Sequence, residues 1–101
     1  MIKKIKIGCY TYDIVITDEP IIIGDKCDYT GMIDYHKNIL KIKDGLSENV
    51  QKQILLHEII HGILNYFEID LKENTEEKIV DCLAKGIYQI MIDNKNFIDG
   101  D

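Results

Sequence analysis

The chain has 101 residues, of which 46% are hydrophobic, so residues 1–101 are long enough for one compact domain and too apolar to be disordered. The net charge of −6 argues against nucleic-acid binding through phosphate contacts, and the apolar runs are far too short to span a membrane. No export signal is recognisable, and Cys9, Cys27 and Cys82 lack zinc-ligand spacing, so we expect reduced thiols in a cytoplasmic protein.

Residues 1–45 are predicted to be mainly strands. Residues 2–7 alternate isoleucine and lysine with a period near two, which predicts a half-buried strand. Gly8 then marks a bulge or a turn. Residues 10–17 are rich in β-branched and aromatic side chains, so they either continue the first strand or begin a second one.

Two further apolar stretches, residues 31–35 and 38–42, predict a hairpin with its turn near His36, Lys37 and Asn38. These strands together predict a short antiparallel sheet that ends in an edge hairpin. Two helical patterns follow in the chain, so the expected fold class is α+β, with a sheet followed by two long helices.

The first helix is predicted over residues 46–67, with Ser47 as its N-cap. It is apolar nearly all round, so we expect it between the sheet and the second helix. It contains the motif His-Glu-x-x-His at His57, Glu58 and His61. Residues four apart share a helix face, so both imidazoles can bind one metal ion while the glutamate serves as a general base. This pattern predicts a zinc hydrolase.

A second helix is predicted over residues 75–92, where apolar residues recur at helical spacing. Asn74 or Thr75 is the expected N-cap. Residues 93–101 are polar and contain glycine near their end, so we expect a frayed tail.

A catalytic zinc site usually has three protein ligands, so a third is needed besides the two histidines. The preferred candidate is Glu77, one turn before Asp81 on the second helix, where Asp81 would hold the outer nitrogen of a ligand histidine. Glu73 and Glu76 compete for the ligand role, and His36 could reach the site only through the fold. The alternative is an acidic first turn that is merely solvated.

The motif His57-Glu58-x-x-His61, followed by Glu77-x-x-x-Asp81, resembles the gluzincin metallopeptidases. The small size, the preceding hairpin and the short connection are similar to the ImmA/IrrE-like branch and to the minigluzincins, including small phage-type members. The resemblance extends from the hairpin to the end of the second helix. It implies a zincin-like fold in which the two long helices carry the metal site. It also implies zinc bound by the two histidines and Glu77, with Glu58 as the base. The family often has asparagine at the position of Asp81.

The resemblance also implies that strand 39–42 is the edge strand that receives an extended peptide. The chain has no arginine to stabilise a tetrahedral intermediate. Four side chains near the motifs are open alternatives for that role, namely His36, Tyr35, Tyr66 and Tyr88.

The sequence thus predicts a zinc-dependent peptidase that cleaves a peptide bond, in a regulatory protein of a phage or mobile element. The alternative is a non-catalytic zinc-containing module that binds a protein partner through its edge strand. The small size of the chain favours the binding module, whereas Glu58 favours the enzyme because a purely structural metal site has no use for a general base.

Overall fold

The computed structural model of the chain describes residues 2–26 and 28–100. It contains four strands followed by two helices, which are β1 (Lys4–Ile7), β2 (Tyr10–Thr17), β3 (Gly31–Asp34), β4 (Ile39–Lys43), α1 (Glu48–Tyr66) and α2 (Glu73–Asp93). The predicted α+β fold class is confirmed. Cys9 and Cys82 are free and exposed, while Cys27 lies outside the described residues.

The four strands form one mixed sheet in the order β1-β2-β4-β3. The two hairpins, β1–β2 and β3–β4, are antiparallel, whereas β2 and β4 are parallel from Asp13 and Ile39 to Thr17 and Lys43. The prediction of an antiparallel sheet is therefore wrong for the pairing of β2 with β4 and correct for the other two pairings. Parallel pairing requires a long connection between the strands, and the chain provides it through residues 18–30 and β3.

This topology also corrects the identity of the edge strand. Strand β4, which includes the expected edge at residues 39–42, lies between β2 and β3 and is paired on both sides. The two edge strands are β1 and β3, and both contact α1. Only β3 begins beside Glu58, so an extended peptide that adds to the sheet next to this residue pairs with β3.

One face of the sheet packs against α1, and the side chains on that face form the core. Ile7, Tyr12, Leu40 and Ile42 are buried there. Gly62 permits close packing, because a Cβ atom at this position would lie 2.8 Å from Cδ1 of Ile7. Helix α2 packs on the other side of α1, so α1 lies between the sheet and α2 as predicted.

The helix ends agree with the sequence for α1 and differ for α2. Ser47 is the N-cap of α1, and its Oγ accepts a hydrogen bond of 3.3 Å from the backbone N–H of Val50. Helix α2 begins at Glu73, before the predicted caps, and its N-cap Lys72 makes no side-chain capping bond. Acidic residues in the first turn favour this start, since they complement the helix dipole.

The polar tail forms turns after the end of α2, with a backbone hydrogen bond of 3.1 Å from Phe97 N–H to the carbonyl of Asn94. In the part of the chain that the structure describes, neither helix combines the length and the apolar character needed to cross a membrane.

Candidate metal centre

Helix α1 brings the two histidines of the motif together. Because His57 and His61 are four residues apart, their rings lie one turn apart on the same face, with centroids separated by 5.0 Å. Their side chains are mostly buried, with exposed fractions of 24% and 11%. Two imidazoles thus converge on one region between α1 and α2.

Helix α2 adds the carboxylate of Glu77 to this pair. One carboxylate oxygen lies 2.9 Å from Nε2 of His61, and the other lies 3.5 Å from Nε2 of His57. One ligand atom from each of the three residues lies within 4.8 Å of the other two, so the group could hold a metal ion. The structure therefore brings together the three residues that were predicted as ligands.

A second carboxylate orients His61. Nδ1 of His61 lies 2.6 Å from Oε2 of Glu76. When the proton of the neutral imidazole is on Nδ1, this nitrogen donates to Glu76 and the lone pair on Nε2 is free to bind a metal. Asp81 was predicted to hold the outer nitrogen of a ligand histidine, but its Oδ2 instead accepts a hydrogen bond of 3.0 Å from Nζ of Lys85.

The correction from Asp81 to Glu76 follows from how α2 is rotated against α1. Val80 and Ala84 are the buried residues of α2 and define the face that packs on α1. Glu76 lies one turn before Val80 on that face, whereas Asp81 lies on its flank and is exposed. The sequence did offer a signal, since Glu76 was among the acids that competed for the ligand role.

The donor set fits a divalent metal such as zinc. Burial lowers the pKa of His57, and the neighbouring His61 lowers it further, which favours the neutral imidazole that a metal requires. Two imidazoles and one carboxylate are a known set for catalytic zinc, and three protein ligands leave a coordination position open.

Glu58 lies on α1 beside the ligand group and is only 9% exposed. Burial raises the pKa of its carboxyl to about 7, while His61 opposes this shift and the charge of Glu77 adds to it. A carboxyl group with a pKa near the working pH both accepts and returns a proton readily. This is the property that a general base needs.

The edge strand passes directly over Glu58. An added Cβ atom at Gly31, the first residue of β3, would lie 3.3 Å from Oε2 of Glu58 and 2.4 Å from Cγ2 of Ile54. Glycine is therefore required for this close approach. The missing side chain thus lets the backbone of this edge strand lie next to the candidate base.

Three clefts reach the ligand group, and two of them are also lined by Glu58. The first of these two, of about 550 Å³, lies between α1, α2 and the start of β3. The smaller one, of about 410 Å³, lies towards Ile33 and Tyr35. Glu58, His61 and Glu77 line both clefts, so a bound chain could extend from the centre in two directions.

The four candidates for stabilising a transition state are now separated by position. Tyr35 lines the smaller cleft with Glu58 and His61, and burial together with nearby carboxylates raises the pKa of its hydroxyl. Tyr66 packs over the β1–β2 turn at Gly8, and the hydroxyl of Tyr88 donates to Asn49. The backbone N–H of His36 donates to Asp34 in an exposed turn.

Comparison with protein-family models, with curated proteins and with solved structures finds no match for this chain. The fold and the site define an α+β protein with a candidate metal centre between two helices. Its function is therefore inferred from its own residues.

Proposed function

We propose that the protein is a zinc-dependent peptidase of the gluzincin type, similar to the ImmA/IrrE-like proteins and minigluzincins. The observation that carries this proposal is the place of Glu58. Its buried carboxyl lies in the same clefts as the three-residue group of His57, His61 and Glu77. A structural metal site gains nothing from an extra buried acid, which has a desolvation cost.

Zinc held by His57, His61 and Glu77 would act as a Lewis acid and lower the pKa of a coordinated water. The residues of the chain supply the remaining functions. Glu58 accepts the proton from the attacking water and then transfers it to the leaving amine. Glu76 keeps Nε2 of His61 directed at the centre, through its contact with Nδ1.

The substrate class follows from the free edge of the sheet. Among the described strands, β3 pairs only with β4, so an extended peptide can add to its outer edge beside Glu58 through main-chain hydrogen bonds. Tyr35 is the best-placed donor for the oxyanion that develops on the scissile carbonyl, because it lines the same cleft as Glu58. A cytoplasmic location and a regulatory phage or mobile-element protein as substrate complete the proposal.

The free β3 edge also favours one other function, a non-catalytic module that binds a partner by strand addition. The two functions differ in the need for a proton acceptor at position 58. Binding by strand addition uses main-chain groups and is independent of the Glu58 carboxylate, whereas hydrolysis requires it.

The deciding experiment compares the wild-type protein with Glu58→Gln, which keeps the size of the side chain but cannot accept a proton. Both are loaded with zinc and incubated with a library of extended peptides, and cleavage is followed by mass spectrometry. We expect Glu58→Gln to retain zinc and lose about 10²–10⁴-fold in turnover. Glu48→Gln, on the exposed first turn of α1, is the matched control and should cleave normally.

Cleavage by Glu58→Gln at the wild-type rate would refute the peptidase mechanism. Peptide binding without cleavage, equal in both proteins, would instead support the strand-addition module.

A further inference from the structure

Helix α2 has a second apolar stripe that faces away from the candidate metal centre. The stripe consists of Ile79, Leu83, Gly86 and Ile90. Successive members are four, three and four residues apart, so they lie along one line on the surface of the helix. The three large side chains are 38%, 45% and 44% exposed in that order. Among the described elements, α2 contacts only α1, and it does so through the face that contains Val80 and Ala84.

The chain exposes more surface than a monomer of its size normally does. Its accessible area is 7356 Å². A compact monomer of 11.7 kDa exposes about 5,900 Å², which leaves an excess of about 1,500 Å². The radius of gyration of 13.9 Å likewise exceeds the value of about 12.7 Å for a compact domain. A standard interface removes about 800 Å² from each partner, which is about half of this whole-chain excess.

The stripe is complementary to itself. Its four positions are symmetric about a midpoint between Ala84 and Lys85, so an antiparallel copy places Ile79 opposite Ile90 and Leu83 opposite Gly86. The space over Gly86 is open, because no heavy atom lies within 4 Å of where its Cβ would be. A leucine from a second copy can therefore occupy the space left by the missing side chain.

We propose that the protein forms a two-fold symmetric dimer through antiparallel packing of this stripe against the stripe of a second copy. An isologous contact requires a surface that matches itself under two-fold rotation, which is the property shown by the positions of the stripe. Beside the middle of the stripe, on the side away from α1, lie the uncharged residues Cys82 and Gln89. The two copies therefore do not bring like charges together at that place.

The dimer leaves the candidate centre open. None of the four stripe residues lines a cleft at the ligand group, and Glu77 and Asp81 lie on the other side of α2. Dimerisation is consequently independent of the proposed peptidase function, and either can fail without the other.

Sedimentation equilibrium of the full chain tests the proposal over a concentration range of about 1 μM to 1 mM, which covers weak and moderate association. The apparent mass of the wild-type protein should rise from 11.7 kDa towards twice that value. Leu83→Lys should weaken association at least about tenfold, because it places a charge at the centre of the contact. Phe67→Lys, which removes an exposed aromatic side chain outside the stripe, should dimerise like the wild type.

The variant Gly86→Phe distinguishes specific dimerisation through the stripe from non-specific hydrophobic association. This variant adds apolar surface at a position where the new Cβ meets no atom within 4 Å, so non-specific association should strengthen. If Leu83 of one copy occupies the space over Gly86 of the other, the phenylalanine fills that space and the dimer should dissociate. Circular dichroism verifies that the variants fold. A wild-type chain that remains monomeric throughout the range overturns the proposal, as does a Gly86→Phe protein that associates more tightly.

Discussion

Burial of the candidate base should make the metal-free protein less stable as the pH rises. The pKa of Glu58 is about 7 in the folded chain and 4.5 for a free side chain, so the folded state binds the proton more tightly than the unfolded state does. Between these values, unfolding releases a proton, and the free energy of unfolding falls with increasing pH. Above pH 7 the free energy of unfolding is lower by about 3 kcal/mol in total, at 1.36 kcal/mol for each pKa unit.

Glu58→Gln removes this dependence because the amide does not ionise. As the pH rises from 4.5 to 8, the free energy of unfolding of the metal-free variant should increase by about 3 kcal/mol relative to that of the wild type. This is a large part of the stability of a domain this size. Urea unfolding followed by circular dichroism measures the difference at each pH, and the midpoints should diverge by about 2 M. The lowered pKa of His57 acts with the opposite sign, but both proteins contain it and the comparison cancels it.

The exposed control Glu48→Gln should show no such gain, since its carboxylate is in solvent. Parallel pH profiles for the wild type and Glu58→Gln would refute the reasoning, because they would mean that the Glu58 carboxyl is not desolvated in the folded protein.

Two further predictions concern the metal. Metal analysis should find about one zinc per chain in the wild type and in Glu73→Ala, which alters the same cleft outside the ligand group, but little in His57→Ala or Glu77→Ala. Full zinc retention in both ligand variants would exclude this ligand set. Zinc removal by a strong chelator should lower the melting temperature, because the ligands connect α1 with α2 and metal binding energy becomes folding energy. An unchanged melting temperature after proven removal would contradict that link.

The parts of the site that could be predicted from sequence depend on short-range geometry. The spacing of His57 and His61 fixes their relation within one helix, whatever the rest of the chain does. Ser47 likewise caps α1 through a bond to a residue three positions later. These features follow from helix geometry alone.

The features that the sequence missed depend on long-range packing. The parallel pairing of β2 with β4 joins strands that are separated in the chain by a long segment containing β3. Alternation of side chains has the same period in parallel and antiparallel sheets, so it does not predict this pairing. The choice of Glu76 over Asp81 as the partner of His61 depends on the rotation of α2, which is set where Val80 and Ala84 meet α1. No local pattern contains that rotation.

The division of the ligands between two helices imposes an order on assembly during translation. The ribosome releases the strands and α1 before α2, so both imidazoles emerge before the carboxylate of Glu77. A nascent chain therefore passes through a stage in which only two of the three candidate ligands are available. The candidate set is complete only when α2 has emerged and docked on α1, so a metal bound by all three residues would mark a chain in which α2 has reached its place.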